Sequence, residues 1–197
     1  MSQKRVLNVG GNNRAIPLPP HFASYEHLLL DIDPKGKPDI LSDARDLSKL
    51  ESAQFDAVYC SHNLEHYYRH DVPKVLAGFQ HVLHADGFAQ VIVPDLHAVM
   101  HQTIQRGLDV EDVLYQSHSG PIMVLDVLYG YSRQIESSGE DFYAHKTGFT
   151  QKSLVRALLA AGFERVYAGV GNLEVNALAF KSKPTSELRA LFGLPDG

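Results

Sequence analysis

The chain has 197 residues, of which 44% are hydrophobic and 21% charged, which fits one globular domain large enough to bury its own core. Its formal net charge is −5 and its lysines and arginines form no dense cluster, which disfavours a nucleic-acid surface. The single cysteine, Cys60, excludes an internal disulfide and favours a reducing compartment. Because we find no signal pattern and no apolar run of about 18 residues, we expect a cytoplasmic protein without a membrane partner.

Short apolar runs bounded by turn residues predict four strands in the first part of the chain. They cover residues 6–9, 27–32, 39–41 and 55–60. Apolar residues at helical spacing in 71–84 then predict a helix, with Asp71 at its cap and Pro73 in its first turn. We expect residues 85–87 to end this helix before another apolar strand at 88–93.

The second half is expected to be mainly helical before it returns to strands. The predicted elements are helices at 97–106 and 110–129, a polar loop to Gly148, a helix capped by Thr150, and strands at 165–170 and 174–181. The short link between the last two strands predicts an antiparallel pair. We expect the residues after Pro184 to be loosely attached.

Alternating strands and helices predict an α/β fold with a Rossmann-like open, mostly parallel sheet, helices on both faces and a C-terminal antiparallel strand pair. We divide the chain into one domain, residues 1–183, and a tail, residues 184–197. Residues 97–148 are expected to form a helical insert or lid on the substrate side. In such sheets ligands bind beyond the carboxyl ends of the strands, where the strand order reverses. The residues to examine are therefore 10–14, 31–33, 43–44 and 61–66.

The turn after the first strand indicates what kind of ligand binds there. Gly10 and Gly11 allow a ligand to approach the backbone closely. Dinucleotide sites continue from such a turn into a helix whose N-terminus holds the diphosphate. Here the G-x-G-x-x-G pattern is absent, and the prolines of Pro17-Leu18-Pro19-Pro20 disfavour a helix. The sequence therefore favours a ligand with adenosine but no phosphate, such as S-adenosylmethionine.

Carboxylates follow the next two predicted strands. Asp31 comes 21 residues after Gly10 and can accept both hydroxyls of a ribose. Asp33 is the alternative acceptor, although a turn aspartate before proline is the simpler interpretation. Asp43, which precedes Ala44, can meet an adenine amino group or can cap a turn instead.

Six segments, in this order along the chain, resemble the class I S-adenosylmethionine-dependent methyltransferases, in their compact, methyltransferase type 11-like branch. The segments are "VLNVGGNNRAIPLP", "LLLDIDP", "DILSDARDLS", "FDAVYCSHNLEHY", "VLAGFQHVLHADGFAQVIVPDL" and "HKTGFTQKSLVRALLAAGFERV". The block "FDAVYCSHNLEH" with the downstream "VLHADG" and "VPD" is the most specific part, and the glycine motif is the least specific. The resemblance implies S-adenosyl-L-methionine as cofactor and a methyltransferase activity.

The resemblance also implies a set of cofactor-binding residues. Gly10 matches the first glycine of the cofactor loop, Asp31 the ribose-binding acid, Asp43 and Ala44 the pair beside the adenine, and Ser61 the methionine side of the pocket. Gly11 and Ile32, neighbours of two of these residues, complete the expected set.

The cofactor loop departs from the family pattern at three positions. Asn8 stands where relatives carry an acidic residue, and Asn12 and Arg14 stand where they carry glycine. We include Asn8, which can still form hydrogen bonds, and Arg14, which can pair with the cofactor's carboxylate if it points inward. The altered motif leaves a second hypothesis open, in which the domain is catalytically inactive and serves as a binding or regulatory partner.

Histidines supply the candidate catalytic groups. Methyl transfer mainly needs alignment of donor and acceptor, and an oxygen acceptor also needs a general base. His62, His66 and His145 are the candidate bases, with Glu65 as the alternative, although these side chains can equally cap or pack beside the pocket. We expect a small-molecule acceptor and no nucleic acid, and the sequence is compatible with a homodimer.

A metal site is the competing interpretation of the histidines. His62, His66 and His70 are spaced by four residues, which can place two ligands together on a helix. Because H-E-x-x-H, a cysteine pair and an obvious third ligand are all absent, the sequence predicts no metal site.

Overall fold

The computed structural model describes residues 3–117 and 120–195. Its strands are β1 (Arg5–Val9), β2 (Glu26–Asp31), β3 (Ile40–Leu41), β4 (Phe55–Ser61), β5 (Leu83–Pro94), β6 (Val113–Ser117), β7 (Gly120–Met123), β8 (Arg165–Gly171) and β9 (Glu174–Phe180). Its α-helices are α1 (Val72–Val82), α2 (Leu96–Arg106), α3 (Val124–Tyr129), α4 (Ser132–Ser138), α5 (Gln151–Ala160) and α6 (Ser186–Phe192).

The main sheet has the order β3-β2-β1-β4-β5-β9-β8. The first five strands of this order are parallel, and β9 runs antiparallel to both β5 and β8. This arrangement confirms the predicted sheet and its C-terminal antiparallel pair. The order reverses at β1, which lies between β2 and β4, so the crevice for a ligand is at the carboxyl ends of these three strands.

Side chains of alternate residues in β1 enter two separate cores. Leu7 and Val9 belong to a large core on the face covered by α1 and α5. Val6 belongs to a smaller core with Phe22 and Leu188 on the opposite face. Both faces of the sheet are thus covered, as its parallel strands require. Within residues 3–117 and 120–195, no helix combines the length and apolar character needed to cross a bilayer.

The junction between α1 and β5 differs from the prediction. The helix ends at Val82, and β5 begins at Leu83, whereas the sequence predicted a turn at 85–87. The pairing of β4 with β5 shifts register between Phe55–Leu83 and Ala57–Phe88, so the intervening residues form an irregularity within the strand. Asp71 precedes the helix, but its carboxylate contacts Arg45 and makes no capping hydrogen bond.

The insert, residues 97–148, is less helical than predicted. The expected helix at 110–129 is wrong, because this segment forms the hairpin β6–β7 before the short helix α3. Gly120 and Pro121 interrupt the helical pattern there. The expected polar loop up to Gly148 instead contains α4 and a 3₁₀ turn at Asp141–Tyr143.

Residues 185–194 are attached to the sheet through α6, which corrects the expectation of a loose tail for the residues that the structure describes. Thr185 caps α6 by accepting a hydrogen bond from the N–H of Leu188. Leu188 is buried, and the Phe192 ring lies 5.3 Å from that of Phe88. The helix thereby covers the second face of the sheet.

Candidate functional site

A cavity of about 640 Å³ lies at the carboxyl ends of β1, β2 and β4, where the strand order reverses. Its wall combines strand-end residues with side chains from the insert. The strand-end residues include Gly10, Asp31, Ile32 and His62, and the insert contributes Tyr131, Gln134, Phe142 and Tyr143. The volume lies within the range of small-molecule sites, about 300–1,000 Å³.

Asp31 is held rigidly at the cavity wall. Its Oδ2 accepts the backbone N–H of Asn12 at 2.8 Å, and its Oδ1 accepts that of Asp33 at 2.9 Å. The residue is only 7% exposed. Each carboxylate oxygen has a second lone pair, so Asp31 can still accept hydrogen bonds from hydroxyl groups inside the cavity.

The loop after β1 has the conformation that its prolines predict. Gly10 has a positive φ of 71°, and its N–H donates to the carbonyl of Leu30 at 2.8 Å. The next helical turn is a short 3₁₀ segment at Pro20–Phe22. The prediction that no regular helix follows this turn is confirmed within the described residues, so the loop offers no helix N-terminus to a diphosphate.

Asp33 joins β2 to the insert. Its carboxylate caps a 3₁₀ turn by accepting the N–H of Lys35, and it also accepts the Tyr143 hydroxyl at 2.6 Å. The Tyr143 hydrogen bond holds the pKa of Asp33 below its usual value. Burial, together with Asp33, raises the pKa of Tyr143 to about 12. The contact therefore joins an ionised carboxylate to a neutral phenol.

Asp43 lines the cavity and is held by Arg45. Its Oδ2 lies 2.7 Å from Nη2 of Arg45, and its Oδ1 accepts the backbone N–H of the same residue. Burial opposes ionisation, but the contacts with Arg45 outweigh it and lower the pKa of Asp43. Ala44 is buried within the core beneath this turn.

Three other predicted cofactor residues, Asn8, Gly11 and Arg14, lie away from the cavity wall. Asn8 is buried, with its amide 3.2 Å from the His27 ring, and Gly11 packs over it. Arg14 is exposed and pairs with Asp39 at 2.9 Å. The last two members of the predicted set lie at strand ends. Ile32 lines the cavity, whereas Ser61 is half-buried at the end of β4.

His62 follows β4 in a left-handed conformation with φ of 50°. Its Nε2 lies 2.9 Å from Glu174, and its Nδ1 lies 3.6 Å from Glu65. Burial would lower the pKa of His62, but the two carboxylates outweigh that effect and raise it to about 10. Because the side chain is 46% exposed, solvent screens these ion pairs in part.

Glu65, His66 and His145 come together beside His62. The His66 and His145 rings are 4.9 Å apart, and Nε2 of His145 lies 4.0 Å from Glu65. Burial would raise the pKa of Glu65, but the surrounding histidines outweigh it and lower the pKa. Burial lowers the pKa of His145, which favours its neutral form. The structure thus brings all three predicted bases to one end of the cavity, whereas the His70 side chain is 81% exposed and contacts Asp71.

A second cavity of about 140 Å³ adjoins the first at this end. The two cavities share His62, Tyr131 and His145. The smaller one is otherwise lined by the insert and the start of β9, including Tyr115, Ile122, Val127 and Glu174.

Two residues at the site, Glu174 and Arg45, were missed by sequence reasoning, and the contact that Tyr143 makes was not predicted. Glu174 lies 112 positions from its partner His62, and Tyr143 lies 110 positions from Asp33. Arg45 and Asn63 also line the cavity. Asn63 lies in the range 61–66 that the sequence marked for examination, and Arg45 directly follows the predicted residues Asp43 and Ala44. The other contacts depend on how the insert and β9 return to the sheet.

Comparisons with known proteins agree with this geometry. Residues 23–91 match the family model described as "Methyltransferase domain". No curated protein sequence matches the chain. Among solved structures, an S-adenosylmethionine-dependent methyltransferase from Archaeoglobus fulgidus is 16% identical, with a TM-score of 0.58 over 91% of this chain and 86% of the other.

Two further structures show the same similarity. One is a methyltransferase from Methanosarcina mazei, 14% identical, with a TM-score of 0.55 over 92% of this chain and 94% of the other. The other is 1,6-didemethyltoxoflavin-N1-methyltransferase from Burkholderia thailandensis, bound to 1,6-didemethyltoxoflavin and S-adenosylhomocysteine. It is 16% identical, with a TM-score of 0.51 over 92% of this chain and 72% of the other. The chain therefore has the fold of the class I S-adenosylmethionine-dependent methyltransferases.

Proposed function

We propose that the protein transfers a methyl group from S-adenosylmethionine to a small-molecule acceptor. The observation that carries this proposal is the position of Asp31, whose ordered carboxylate lines a large cavity at the strand-order reversal. A carboxylate in this position suits the two hydroxyls of a ribose.

The charges around the cavity fit a phosphate-free, cationic cofactor. The lining residues include four aspartates, Asp31, Asp43, Asp71 and Asp141, against three cations, Arg45, Lys146 and the protonated His62. All three cations are already paired, Arg45 with Asp43, Lys146 with Asp141 at 3.4 Å, and His62 with Glu174 at 2.9 Å. An acidic wall favours a sulfonium and disfavours a diphosphate, because like charges repel.

Individual residues receive proposed roles from their positions. Asp31 would hold the ribose, Gly10 and Ile32 would contact the cofactor directly, and Asp43 would lie beside the adenine. The loop after β1 and the turn after β3 are supported by four residues outside the cavity wall: Asn8, Gly11, Arg14 and Ala44. Ser61, at the end of β4, would lie next to the methionine part of the cofactor. S-adenosylmethionine supplies the methyl group, and the protein aligns the acceptor and excludes water.

The acceptor is proposed to enter the smaller cavity. Because the two cavities meet at His62, Tyr131 and His145, an acceptor there would face the large cavity directly. A volume of about 140 Å³ fits only a small molecule or one end of a larger one. Of the three predicted bases, His66 and His145 remain candidates for an oxygen acceptor, whereas the carboxylates beside His62 raise its pKa to about 10 and keep it protonated at neutral pH. The insert, residues 97–148, would close over both ligands as a lid.

A cytosolic location is proposed with this function. The chain's single cysteine, Cys60, is buried, and burial raises the pKa of its thiol. A buried thiol without a disulfide suits a reducing compartment.

The proposal is tested by titrating the full chain with S-adenosylhomocysteine in a calorimeter, with NAD as the comparison ligand. We expect a thermal shift and measurable heat with S-adenosylhomocysteine alone, since a ligand of the folded state raises stability. Asp31→Ala should weaken binding at least about tenfold, whereas Asp86→Ala, an exposed control, should not. Absence of heat and of a thermal shift at millimolar ligand would reject the proposal and favour the non-enzymatic partner.

A further inference from the structure

Glu65 is a buried carboxylate without a hydrogen-bond partner. The residue is 1% exposed, and neither Oε1 nor Oε2 accepts a hydrogen bond from the residues that the structure describes. Its backbone carbonyl, in contrast, accepts hydrogen bonds from the N–H groups of Lys146 and Thr147, so the main chain at Glu65 is fixed to the insert. Burying an ionised carboxylate is costly unless it is paired or coordinates a metal.

The nearest cation pairs with this carboxylate in charge but makes no hydrogen bond to it. His62 approaches Glu65 only to 3.6 Å and makes its short contact, 2.9 Å, with Glu174. A distance of 3.6 Å is longer than a hydrogen bond. The carboxylate oxygens therefore keep their lone pairs available to another ligand.

Two histidines direct donor atoms toward the same point. One potential ligand atom each from Glu65, His66 and His145 lie within 4.8 Å of one another. Nδ1 of His145 lies 2.9 Å from the carbonyl of Val127. His66 has a carbonyl oxygen near each ring nitrogen, that of Ala144 3.1 Å from Nδ1 and that of His62 3.2 Å from Nε2, so metal binding through Nε2 requires this ring to give up its contact with His62. A ring whose Nδ1–H donates to a carbonyl has a lone pair on Nε2, and metal-binding histidines are usually oriented in this way.

We propose that Glu65, His66 and His145 bind a divalent transition-metal ion, for which Zn²⁺ is the simplest choice. Two imidazoles and one carboxylate are a ligand set that zinc and ferrous iron both accept. Bonds of about 2.0–2.2 Å would require the donors to approach one another by about 1 Å, within the reach of side-chain rotation. His66 and His145 line the large cavity, so the open coordination position faces it.

This placement also limits the acceptor, in a step that rests on the proposed function. A metal ion at the shared end of the two cavities would bind an oxygen or nitrogen atom of the acceptor and lower the pKa of a hydroxyl there. The site therefore favours an acceptor with a hydroxyl or an unprotonated nitrogen next to the methylated position.

Metal binding is measured on the full chain after treatment with a chelator. Zn²⁺ is titrated in competition with a chromophoric chelator, and Co²⁺ is added separately as a spectroscopic probe. We expect one ion per chain, micromolar or tighter binding of Zn²⁺, and visible Co²⁺ absorption bands of a low-coordinate site. Mg²⁺ should not compete, because it prefers oxygen ligands and octahedral geometry.

Variants distinguish this site from zinc bound to other histidines. Glu65→Gln and His145→Ala should each weaken Zn²⁺ binding at least about tenfold, since they remove ligands. The exposed controls Glu111→Gln and His101→Ala should leave it unchanged. Glu65→Gln should also abolish the increase in melting temperature that Zn²⁺ gives the unmodified chain.

Two results would overturn the inference: no Zn²⁺ bound below about 100 μM, or equal binding by Glu65→Gln, His145→Ala and the unmodified chain. S-adenosylhomocysteine is titrated into the same metal-free protein as a separate readout. Binding of that ligand without metal binding rejects the metal site alone, whereas metal binding without it rejects only the methyltransferase proposal.

Discussion

Two residues at the cavity hold a backbone conformation that is uncommon for residues other than glycine. Asn12 and His62 have φ values of 57° and 50°, in the left-handed region that usually requires glycine. Such conformations cost about 1–3 kcal/mol and persist where the surrounding structure fixes them. Asn12 thereby directs its N–H to Asp31, and His62 lies between Glu65 and Glu174.

Gly10→Ala tests the backbone at the cofactor loop. A methyl group at this position would enter the space of the Asn63 amide, and the left-handed φ of 71° would cost about 1–2 kcal/mol more. We expect lower stability and at least about tenfold weaker binding of S-adenosylhomocysteine, measured by calorimetry. Gly139→Ala is the matched control, because its φ is 70° but a Cβ there meets nothing within 4 Å. Equal effects of the two substitutions on binding would contradict the prediction.

Arg14→Ala tests a residue that the sequence assigned to the cofactor. The structure pairs Arg14 with Asp39 and directs a second hydrogen bond to the carbonyl of His27. We therefore expect ligand affinity to stay within about twofold, and stability to fall by less than about 1 kcal/mol, as for exposed ion pairs. A tenfold loss of affinity in the same calorimetric titration would show that the guanidinium reaches the cofactor.

At the scale of elements, Asp126 organises the insert. This buried carboxylate accepts the N–H of Met123 at 2.9 Å and both the N–H and the hydroxyl of Ser132, and so fixes the starts of α3 and α4. Burial would raise the pKa of Asp126, but these donors outweigh it and lower the pKa below 3.8.

Asp126→Asn should destabilise the protein in a pH-dependent manner. Because the pKa of Asp126 is lowered by folding, its contribution is present above pH 3.8 and is lost as the pH falls through the folded-state pKa. We expect a loss of about 1–3 kcal/mol at pH 7 that shrinks toward pH 3, measured by urea unfolding at several pH values. Asp86→Asn is the exposed control. A difference from the unmodified chain that is the same at pH 7 and pH 3 would disprove the role of the charge.

Phe192→Ala tests the attachment of α6. The Phe192 ring lies 5.0 Å from the His21 ring and 5.3 Å from that of Phe88, although the residue is only half-buried. We expect the free energy of unfolding to fall by about 2 kcal/mol, less than for a fully buried phenylalanine. Leu191→Ala, on the neighbouring exposed position, should cost under about 0.5 kcal/mol. Similar values for both variants would mean that the tail is loosely attached after all.

At the scale of the whole molecule, the insert is tied to the sheet at both sides of the cavity. Tyr143 donates to Asp33 beyond β2, and the N–H groups of Lys146 and Thr147 donate to the carbonyl of Glu65 beyond β4. These contacts close the cavity between segments that are distant in sequence.

Tyr143→Phe should loosen the insert. It removes a hydrogen bond to an ionised carboxylate, worth about 1.5–3 kcal/mol, from the cavity wall. We expect faster hydrogen exchange at residues 141–147 and roughly fivefold weaker S-adenosylhomocysteine binding, because part of the binding energy must then order the insert. Tyr129→Phe, whose side chain is exposed, serves as the control. Unchanged exchange and affinity would show that this contact does not hold the insert closed.

The sheet was predictable because its signals are local. Apolar runs such as Val6–Val9 and Phe55–Cys60, each ended by a turn residue, are typical of buried parallel strands. Thr150 likewise indicates the start of α5, because its side chain caps the first turn of that helix. The hairpin β6–β7 was mistaken for a helix, because its short strands mix apolar and polar residues without a clear period.

The sequence alone therefore determined the strands of the main sheet with α1, α2 and α5, the absence of a regular helix directly after β1 and the placement of Asp31 beside the crevice, since each depends on neighbouring residues. Only the tertiary structure decided that Arg14 pairs away from the cavity and that Glu65, His66 and His145 converge, with Glu174 and Tyr143 completing the walls. The physical reason is that such contacts join segments up to 112 residues apart. Their geometry is set by side-chain packing and hydrogen bonding between elements, and no local sequence pattern records these interactions.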